Sequence, residues 1–254
     1  MLDAILWGLI QGLTEFLPVS SSGHLILIPD LLGREPPDLV TSAALHLGTL
    51  VAVLIYFRSD LMEVLRFTDE GKRLLRFLVI GTIPVVILGL TLAGPLEEMA
   101  EHPRLVAVAV MVTGVILIGS RLLPAGSRRQ EETADADAAT IGLAQAFALI
   151  PGISRSGSTM VAGRARGFES REAASLAFLL GIPAIAGAGL LSVLDLATGD
   201  EAGGLTPELV VGMVVAGVSG YAAIALLLRL IQRIGLTPFG IYCLAFGAFA
   251  LLAL

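Results

Sequence analysis

The sequence predicts an all-α polytopic membrane protein with six transmembrane helices and two re-entrant helical hairpins in an inverted-topology repeat. Its 254 residues are 56% hydrophobic and only 15% charged, its mean hydropathy is +0.88, and its apolar residues form long charge-free runs. Soluble domains carry about 25% charged residues. The composition therefore excludes a soluble enzyme and a nucleic-acid-binding domain. A single cysteine excludes an intrachain disulfide and a cysteine metal cluster.

Six charge-free runs, taken with their flanking residues, are long enough to cross a bilayer, which requires about 20 residues in a helix. These predicted spans are Val40–Phe57, Phe77–Leu96, Leu105–Ser120, Ala173–Leu194, Leu209–Leu228 and Ile234–Leu254.

Two further apolar stretches are interrupted by polar residues. Ala4–Pro29 contains Glu15 and the run Ser20–Gly23, and Ala138–Ala162 contains the run Ser154–Gly157. We expect each stretch to enter the membrane, turn at mid-depth and return. Such irregular backbone is tolerated only where protein or a wet cavity surrounds it.

The two interrupted stretches resemble each other, which indicates an internal repeat. The segment from Gly8 to Gln11 matches the segment from Gly142 to Gln145, and the serines and glycine of the two polar runs match at the same offset. The sequence therefore predicts one integral membrane domain, 1–254, made of a first half at 1–125, a cytoplasmic loop at 126–140 and a second half at 141–254.

The distribution of basic residues predicts the orientation. With the six spans in place, thirteen Lys and Arg side chains fall on one side of the membrane and only Arg34 and Arg104 on the other. The positive-inside rule makes the richer side the cytoplasm. Both termini and the loops near Glu98 and Asp200 are then outside. The two hairpins enter from opposite faces, as in inverted repeats with a site near the midplane.

The first interruption carries a carboxylate. Gln11 and Glu15 are four residues apart and therefore share one helix face. A carboxylate in lipid is costly, so Glu15 should face a cavity and act as a metal ligand or a general base. The alternative is a buried structural ion pair between Glu15 and Arg155.

The serines that follow suggest nucleophilic chemistry. Ser20, Ser21 and Ser22 precede a helix predicted to start near His24, and the N–H groups at a helix start favour an anion. A serine hydroxyl becomes a nucleophile when a base is near, and His24 could supply that base or an acid. The alternative is that the serines cap the helix.

Arg155 is the charged residue of the second interrupted stretch. An arginine at mid-membrane depth needs an anionic partner, and its planar fork suits phosphate oxygens. Other candidates are weaker. We expect His46 to be a hydrogen-bonded core histidine, Cys243 to be a packing residue and Tyr242 to be an interfacial or groove aromatic.

The two motifs together resemble those of the undecaprenyl-diphosphate phosphatases of the bacitracin-resistance type. The motifs are Gln11-x-x-x-Glu15 with Pro18–His24, followed by Pro151–Thr159, and the resemblance covers the whole chain. It implies the same helical fold and the removal of one phosphate from a polyprenyl diphosphate lipid carrier. The reaction would take place at the outer face of the cell membrane, with a divalent cation, Mg or Ca.

The resemblance also implies roles for individual residues. It makes Glu15, Ser21, His24 and Arg155 catalytic, with Glu15 and Gln11 holding the metal. It assigns substrate binding to Ser20, Ser154, Ser156 and Thr159, and we expect Ser22 and Gln145 to bind substrate as well. Many members of the family have Glu where this chain has Gln11, so this site carries one charge less.

The alternative function is a polyprenyl-phosphate flippase, because inverted repeats with broken helices are also a transporter architecture. The expected partners are the lipid substrate and the bilayer, with no nucleic acid, and a homodimer is left open. Direct attack by an activated water is the alternative to a serine nucleophile.

Overall fold

The structure, a computed structural model, describes residues 1–198 and 206–254, with side chains for 1–189 and 206–254. Within these ranges the chain is helical. One isolated backbone bridge joins Arg128 and Phe168, and short 3₁₀ turns follow α6 and precede α7. The α-helices are α1 (Leu2–Phe16), α2 (Ser21–Leu31), α3 (Leu39–Tyr56), α4 (Arg58–Leu65), α5 (Asp69–Ala100), α6 (Pro103–Gly119), α7 (Asp135–Phe147), α8 (Arg155–Ala165), α9 (Ser170–Thr198), α10 (Pro207–Ile234) and α11 (Thr237–Ala253).

The predicted class, an all-α polytopic membrane protein, is confirmed. Helices α3, α5, α6, α9 and α10 are each long and apolar enough to cross a membrane. The sixth predicted span is the apolar helix α11, whose 17 residues reach about 25 Å at the usual rise of 1.5 Å per residue. The helices extend past the predicted charge-free runs, because helix ends in water accept charged residues. Thus α5 begins at Asp69 and has 32 residues.

Both interrupted stretches are helical hairpins that return to the end of the molecule where they began. Asp3 at the start of α1 forms an ion pair with Arg34, just after α2. At the opposite end, Asp137 at the start of α7 pairs with Arg166 after α8, at 2.7 Å. The turn at each tip uses one residue with positive φ, Ser20 in the first hairpin (φ 72°) and Gly152 in the second (φ 95°).

Glycines at corresponding positions of the two hairpins allow each hairpin to pack closely against a long helix. Helix α1 packs on α10, and α7 packs on α5. A β-carbon at Gly8 would lie 2.5 Å from the carbonyl oxygen of Gly212, and one at Gly142 would lie 2.4 Å from that of Gly81. Small residues allow such close helix approach in membranes. This pairing is the pattern that two repeats related by a two-fold axis would produce.

The loops rich in basic residues gather at one end of the helix bundle. Gln130 donates to Asp60 at 3.1 Å, and Arg164 donates to the carbonyl oxygen of Ser120 at 3.3 Å. At the other end, Arg104 donates to the carbonyl oxygen of Leu254 at 2.6 Å. The predicted outer loop near Asp200 lies outside the described residues.

A buried carboxylate anchors the loop between the two halves. Asp137 is fully buried and accepts hydrogen bonds from Arg128 at 2.6 and 3.1 Å and from Arg166. Burial by itself raises the pKa of Asp137, but hydrogen bonds from Arg128, Arg166 and the backbone N–H of Ala134 outweigh it and lower the pKa to about 2. The Arg128 guanidinium also stacks on the Phe168 ring at 4.4 Å. The loop is therefore fixed to the second hairpin.

Candidate active site

The two hairpin tips present equivalent helix starts. Ser20 caps α2 by accepting from the N–H of Gly23 at 3.1 Å, and Ser154 caps α8 by accepting from the N–H of Gly157 at 3.0 Å. Helix α2 thus begins at Ser21 and not near His24 as expected. Ser21 and Arg155 consequently occupy the same first position of matching helices, where N–H groups and the helix dipole favour an anion.

Hydrogen bonds join the two tips to each other. The N–H of Gly152 donates to the Ser22 hydroxyl at 3.3 Å, and the Ser156 hydroxyl donates to the carbonyl oxygen of Leu17 at 3.2 Å. Thr113 of α6 holds the second tip by donating to the carbonyl of Gly152 at 3.1 Å. The helix starts are therefore fixed relative to each other before any ligand binds.

Glu15 lies at the centre of the site and is buried. Its Oε1 accepts from Arg155 Nη2 at 2.8 Å. Its Oε2 accepts from the Ser21 hydroxyl at 2.6 Å and from the Gln11 amide at 3.1 Å. A carboxylate, a hydroxyl and a guanidinium from α1, α2 and α8 thus meet within hydrogen-bond distance. The contact of Glu15 with Arg155 was one of the two interpretations of the sequence, whereas the contact of Glu15 with Ser21 was not expected.

A histidine from α3 also reaches this cluster. His46 Nε2 lies 3.9 Å from Glu15 Oε2, and its Nδ1 is 2.7 Å from the carbonyl oxygen of Ser42. The sequence predicts a hydrogen-bonded core role for His46, whereas the structure places it beside Glu15. The sequence around a lone histidine in an apolar span does not indicate a role in a site. His46 reaches the cluster only because α3 packs against α1. Its side chain is 36% exposed, so the site is open beside it.

Arg155 fits against α9 only because residue 181 is glycine. A β-carbon at Gly181 would lie 2.1 Å from Arg155 Nη1. In the described part of the protein, Nη1 is buried and has no hydrogen-bond partner. Arg155 therefore holds Glu15 with one nitrogen and has a second N–H group ready for an anion.

His24 does not face Ser21. Its Nδ1 lies 2.8 Å from the carbonyl oxygen of Ser20, which can only accept, so Nδ1 carries the hydrogen. In the neutral ring Nε2 then accepts from the Tyr242 hydroxyl at 2.7 Å. The Phe246 ring stacks on the imidazole at 4.5 Å. The side chain that accepts a hydrogen bond from Ser21 is therefore Glu15, and not the expected His24.

The remaining predicted binding residues divide into three groups. Ser20 and Ser154 are occupied as caps, and Thr159 donates to the carbonyl of Arg155 within α8 at 2.7 Å. Ser22 and Ser156 connect the tips. Gln145 is buried, and neither atom of its amide has a partner among the described residues.

Gln11 and Glu15 have the donor chemistry for a divalent cation. No group of three or more His, Cys, Asp or Glu residues suited to a metal occurs in the described ranges. However, Gln11 Oε1 is a buried oxygen with no partner there, on the helix turn next to the Glu15 carboxylate. Oxygen donors of this kind suit Mg or Ca, so the two residues fit a site with few protein ligands.

Comparison with known proteins gives consistent matches over nearly the whole chain. The family described as bacitracin resistance protein BacA matches residues 4–249. A protein of Nocardioides sp. named undecaprenyl-diphosphatase is 40% identical, covering 97% of this chain and 94% of its own length. Proteins with the same name from Geobacter sulfurreducens and Desulforudis audaxviator are each 42% identical, covering 97% and 96% of this chain and 96% and 94% of their own lengths.

Proposed function

Because the chain belongs to the bacitracin resistance protein BacA family, we propose that it hydrolyses undecaprenyl diphosphate to the monophosphate and phosphate, which recycles a lipid carrier and confers bacitracin resistance. The observation that carries this proposal is the contact of Glu15 with both Ser21 and Arg155. A flippase needs a phosphate-binding cation, but it has no use for a hydroxyl held against a buried carboxylate.

Arg155 would bind the diphosphate. Its Nη1, which has no partner among the described residues, would donate to the first phosphate oxygen, and the planar fork can then move from Glu15 to a second oxygen. The starts of α2 and α8 add backbone N–H groups on the same side. These groups hold the terminal phosphate beside the Ser21 hydroxyl, and phosphoryl transfer depends mainly on such positioning and charge stabilisation.

Ser21 would then attack the terminal phosphorus. The Ser21 Oγ–P bond forms, the hydroxyl proton passes to Glu15, and the bond from phosphorus to the bridging oxygen breaks, which releases the lipid monophosphate. Glu15 gives this proton to the bridging oxygen of the departing lipid monophosphate and becomes a carboxylate again. Water then attacks the phosphoserine and passes its proton to Glu15, the Ser21 Oγ–P bond breaks to release phosphate, and Glu15 returns the proton to Ser21 Oγ. Attack by water without a serine intermediate is the alternative, with Glu15 in the same role.

A divalent ion, Mg or Ca, would be held by Gln11 and Glu15. When bound, such an ion neutralises the negative charge of the phosphates. His46 lies beside the same carboxylate and would face the phosphate side of the site.

The proposed membrane arrangement has six spans and two hairpins, with both termini and the opening of the site on the outer face. The two halves, 1–125 and 141–254, would be related as inverted repeats around the paired tips. One chain supplies every group in the proposed reaction, so the proposal does not require a homodimer.

The test is phosphate release from undecaprenyl diphosphate by purified protein in detergent, across a series of Mg and Ca concentrations. We expect Ser21→Ala to lower kcat by at least about a thousandfold if serine attacks. Ser219→Ala serves as the matched control and should leave kcat unchanged, since that hydroxyl donates within α10. If Ser21→Ala keeps more than about a tenth of the wild-type kcat, the substitution raises the activation free energy by less than about 1.4 kcal/mol. Water is then the nucleophile. Wild-type protein that releases no phosphate would refute the proposed function itself.

A further inference from the structure

The imidazole of His24 is buried, with 2% of the residue exposed, and both of its ring nitrogens are in hydrogen bonds. Its Nδ1 is bound to the carbonyl oxygen of Ser20, and its Nε2 is bound to the hydroxyl of Tyr242. The proposed reaction does not use this ring. Its contacts nevertheless connect α11 to the residue that directly precedes Ser21.

We propose that Tyr242 is a positioning residue, which acts on the site through His24. The Tyr242 hydroxyl fixes the imidazole, and the imidazole holds the backbone turn at Ser20. That turn directs the Ser21 hydroxyl toward Glu15. This inference rests on the proposed function, because it concerns the geometry of the group that attacks the phosphate. The imidazole itself would transfer no proton.

The turn at Ser20 has a backbone conformation that is costly for a residue with a β-carbon. Its φ is 72°, in the region that favours glycine. The second tip has a glycine, Gly152, at its own positive φ. A non-glycine residue persists in such a conformation only where the surrounding contacts fix it. The contacts that hold Ser20 are therefore part of what gives the site its shape.

Two hydrogen bonds from His24 hold the carbonyl group of Ser20. The backbone N–H of His24 donates to this oxygen at 3.2 Å, and ring Nδ1 donates to it at 2.8 Å. A carbonyl oxygen has two lone pairs and can accept both. The carbonyl belongs to the planar peptide group that joins Ser20 to Ser21, so it cannot rotate without moving Ser21. The 2.6 Å hydrogen bond from Ser21 to Glu15 depends on this peptide plane.

The Tyr242 hydroxyl selects the form of the imidazole that can hold the turn. A neutral imidazole carries one N–H, on either nitrogen, and only the form with the hydrogen on Nδ1 can donate to Ser20. A hydroxyl that donates to Nε2, at 2.7 Å, stabilises this form and opposes rotation of the ring. Because the ring is buried, an Nε2 without this partner would be an unsatisfied acceptor.

Helix α11 contacts the turn from both sides. Tyr242 and Phe246 are four residues apart and therefore share one helix face. Both rings are nearly parallel to the imidazole, at interplanar angles of 8° and 13°. The neighbouring thiol of Cys243 donates to the carbonyl oxygen of Pro18 at 3.8 Å. The imidazole follows the turn in the chain and Pro18 precedes it, so α11 forms a frame that holds the turn in place.

The first test separates positioning from proton transfer with two amide variants of His24. The side-chain nitrogen of asparagine lies about where Nδ1 does, and that of glutamine lies about where Nε2 does. We expect His24→Asn to keep at least about a tenth of the wild-type kcat, because it can still donate to Ser20, and His24→Gln to lose about a hundredfold or more. Neither amide can exchange a proton at neutral pH, so loss of a general acid or base would cost both variants about a hundredfold or more. Phosphate release from undecaprenyl diphosphate in detergent measures this.

The second test removes the Tyr242 hydroxyl alone. Tyr242 is 46% exposed, so Tyr242→Phe should leave the fold intact. We expect kcat to fall about five- to twentyfold with KM near wild type, as for an interaction that matters only in the transition state. In protein that already carries His24→Asn, the same change should cost almost nothing, because asparagine does not reach the hydroxyl and the two residues act as one unit. The control is Tyr221→Phe, whose ring packs on Tyr56 at 5.4 Å, and its kcat should be unchanged.

Nitrogen NMR of protein labelled at histidine reads the form of the ring without an assay of activity. In the wild type, Nδ1 of His24 should give the signal of a protonated nitrogen and Nε2 that of an unprotonated one, and His24→Asn assigns these signals by their loss. A wild-type ring protonated on Nε2 would overturn the inference. Equal losses in His24→Asn and His24→Gln, a Tyr242→Phe variant as active as Tyr221→Phe, or a rise in KM alone would overturn it too. Wild-type protein that releases no phosphate would instead refute the proposed function, so the two failures are distinct.

Discussion

The Arg155 guanidinium holds Glu15 at 2.8 Å with one nitrogen, and another of its nitrogens is buried without a hydrogen-bond partner in the described part of the chain. Lysine at this position retains the charge but cannot make two parallel hydrogen bonds. We expect Arg155→Lys to lower kcat/KM at least about tenfold, equal to about 1.4 kcal/mol of barrier. Steady-state phosphate release measures this. Normal kinetics for the lysine variant would mean that Arg155 serves only as the structural partner of Glu15.

The charged residues of the site could be predicted from the sequence, because an unpaired charge within an apolar stretch has a high free-energy cost. A carboxylate and an arginine within apolar stretches had to meet something, and Glu15 and Arg155 do meet. The partner of His24 was not predictable, because Tyr242 lies 218 residues further along the chain. The short spacing of Ser21 and His24 suggested a pair, but the cap made by Ser20 starts the helix early and turns the imidazole away from Ser21.

At the scale of helices, Gly181 controls the position of Arg155. A methyl group there would displace the guanidinium, while the flexible arginine could move aside without unfolding the bundle. We expect Gly181→Ala to fold normally and to lose about ten- to a hundredfold in kcat/KM, since small misplacements of catalytic groups are costly. The control is Gly187→Ala in the same helix, where a β-carbon would meet no atom of the described residues within 4 Å. Equal activity of the two variants would contradict this role.

The sequence predicted which segments are helical better than it predicted the residues at which the helices begin and end. Charge-free runs identify the part of a helix that sits in hydrocarbon, but not the turns that continue into water. The short helix α4 at the basic end was not anticipated, because its eight residues are too few for periodicity to show. The hairpin turns were located correctly because proline, glycine and serine interrupt both apolar stretches.

At the scale of the molecule, Asp137 holds the connecting loop to the second hairpin. Its pKa of about 2 in the folded protein is below the unfolded value, so its stabilisation is full above about pH 4 and is lost as the pH falls toward about 2. We expect Asp137→Asn to lower stability by about 1 to 2 kcal/mol at pH 7, with the difference shrinking at about pH 3.

Thermal unfolding of purified protein in detergent at the two pH values measures this effect. Asp135→Asn is the control, because its partner Arg76 is on the exposed surface and such pairs contribute little. A destabilisation by Asp137→Asn that is the same at both pH values would show that shape, and not charge, matters at this position.

The orientation of the whole molecule has its own test. Cys243 is buried, so single cysteines introduced at the surface can be labelled selectively. A membrane-impermeant maleimide should modify Glu98→Cys in intact cells, and Glu131→Cys only after the cells are permeabilised. The reverse pattern would invert the proposed topology.

The shared position of Ser21 and Arg155 at the starts of matching helices has an evolutionary consequence. In an assembly of two identical halves, every substitution appears twice, so the paired tips would carry either two serines or two arginines. Neither combination both binds a phosphate and attacks it. A single chain specifies each tip separately, so the same structural position can hold serine at one tip and arginine at the other, as the proposed reaction requires.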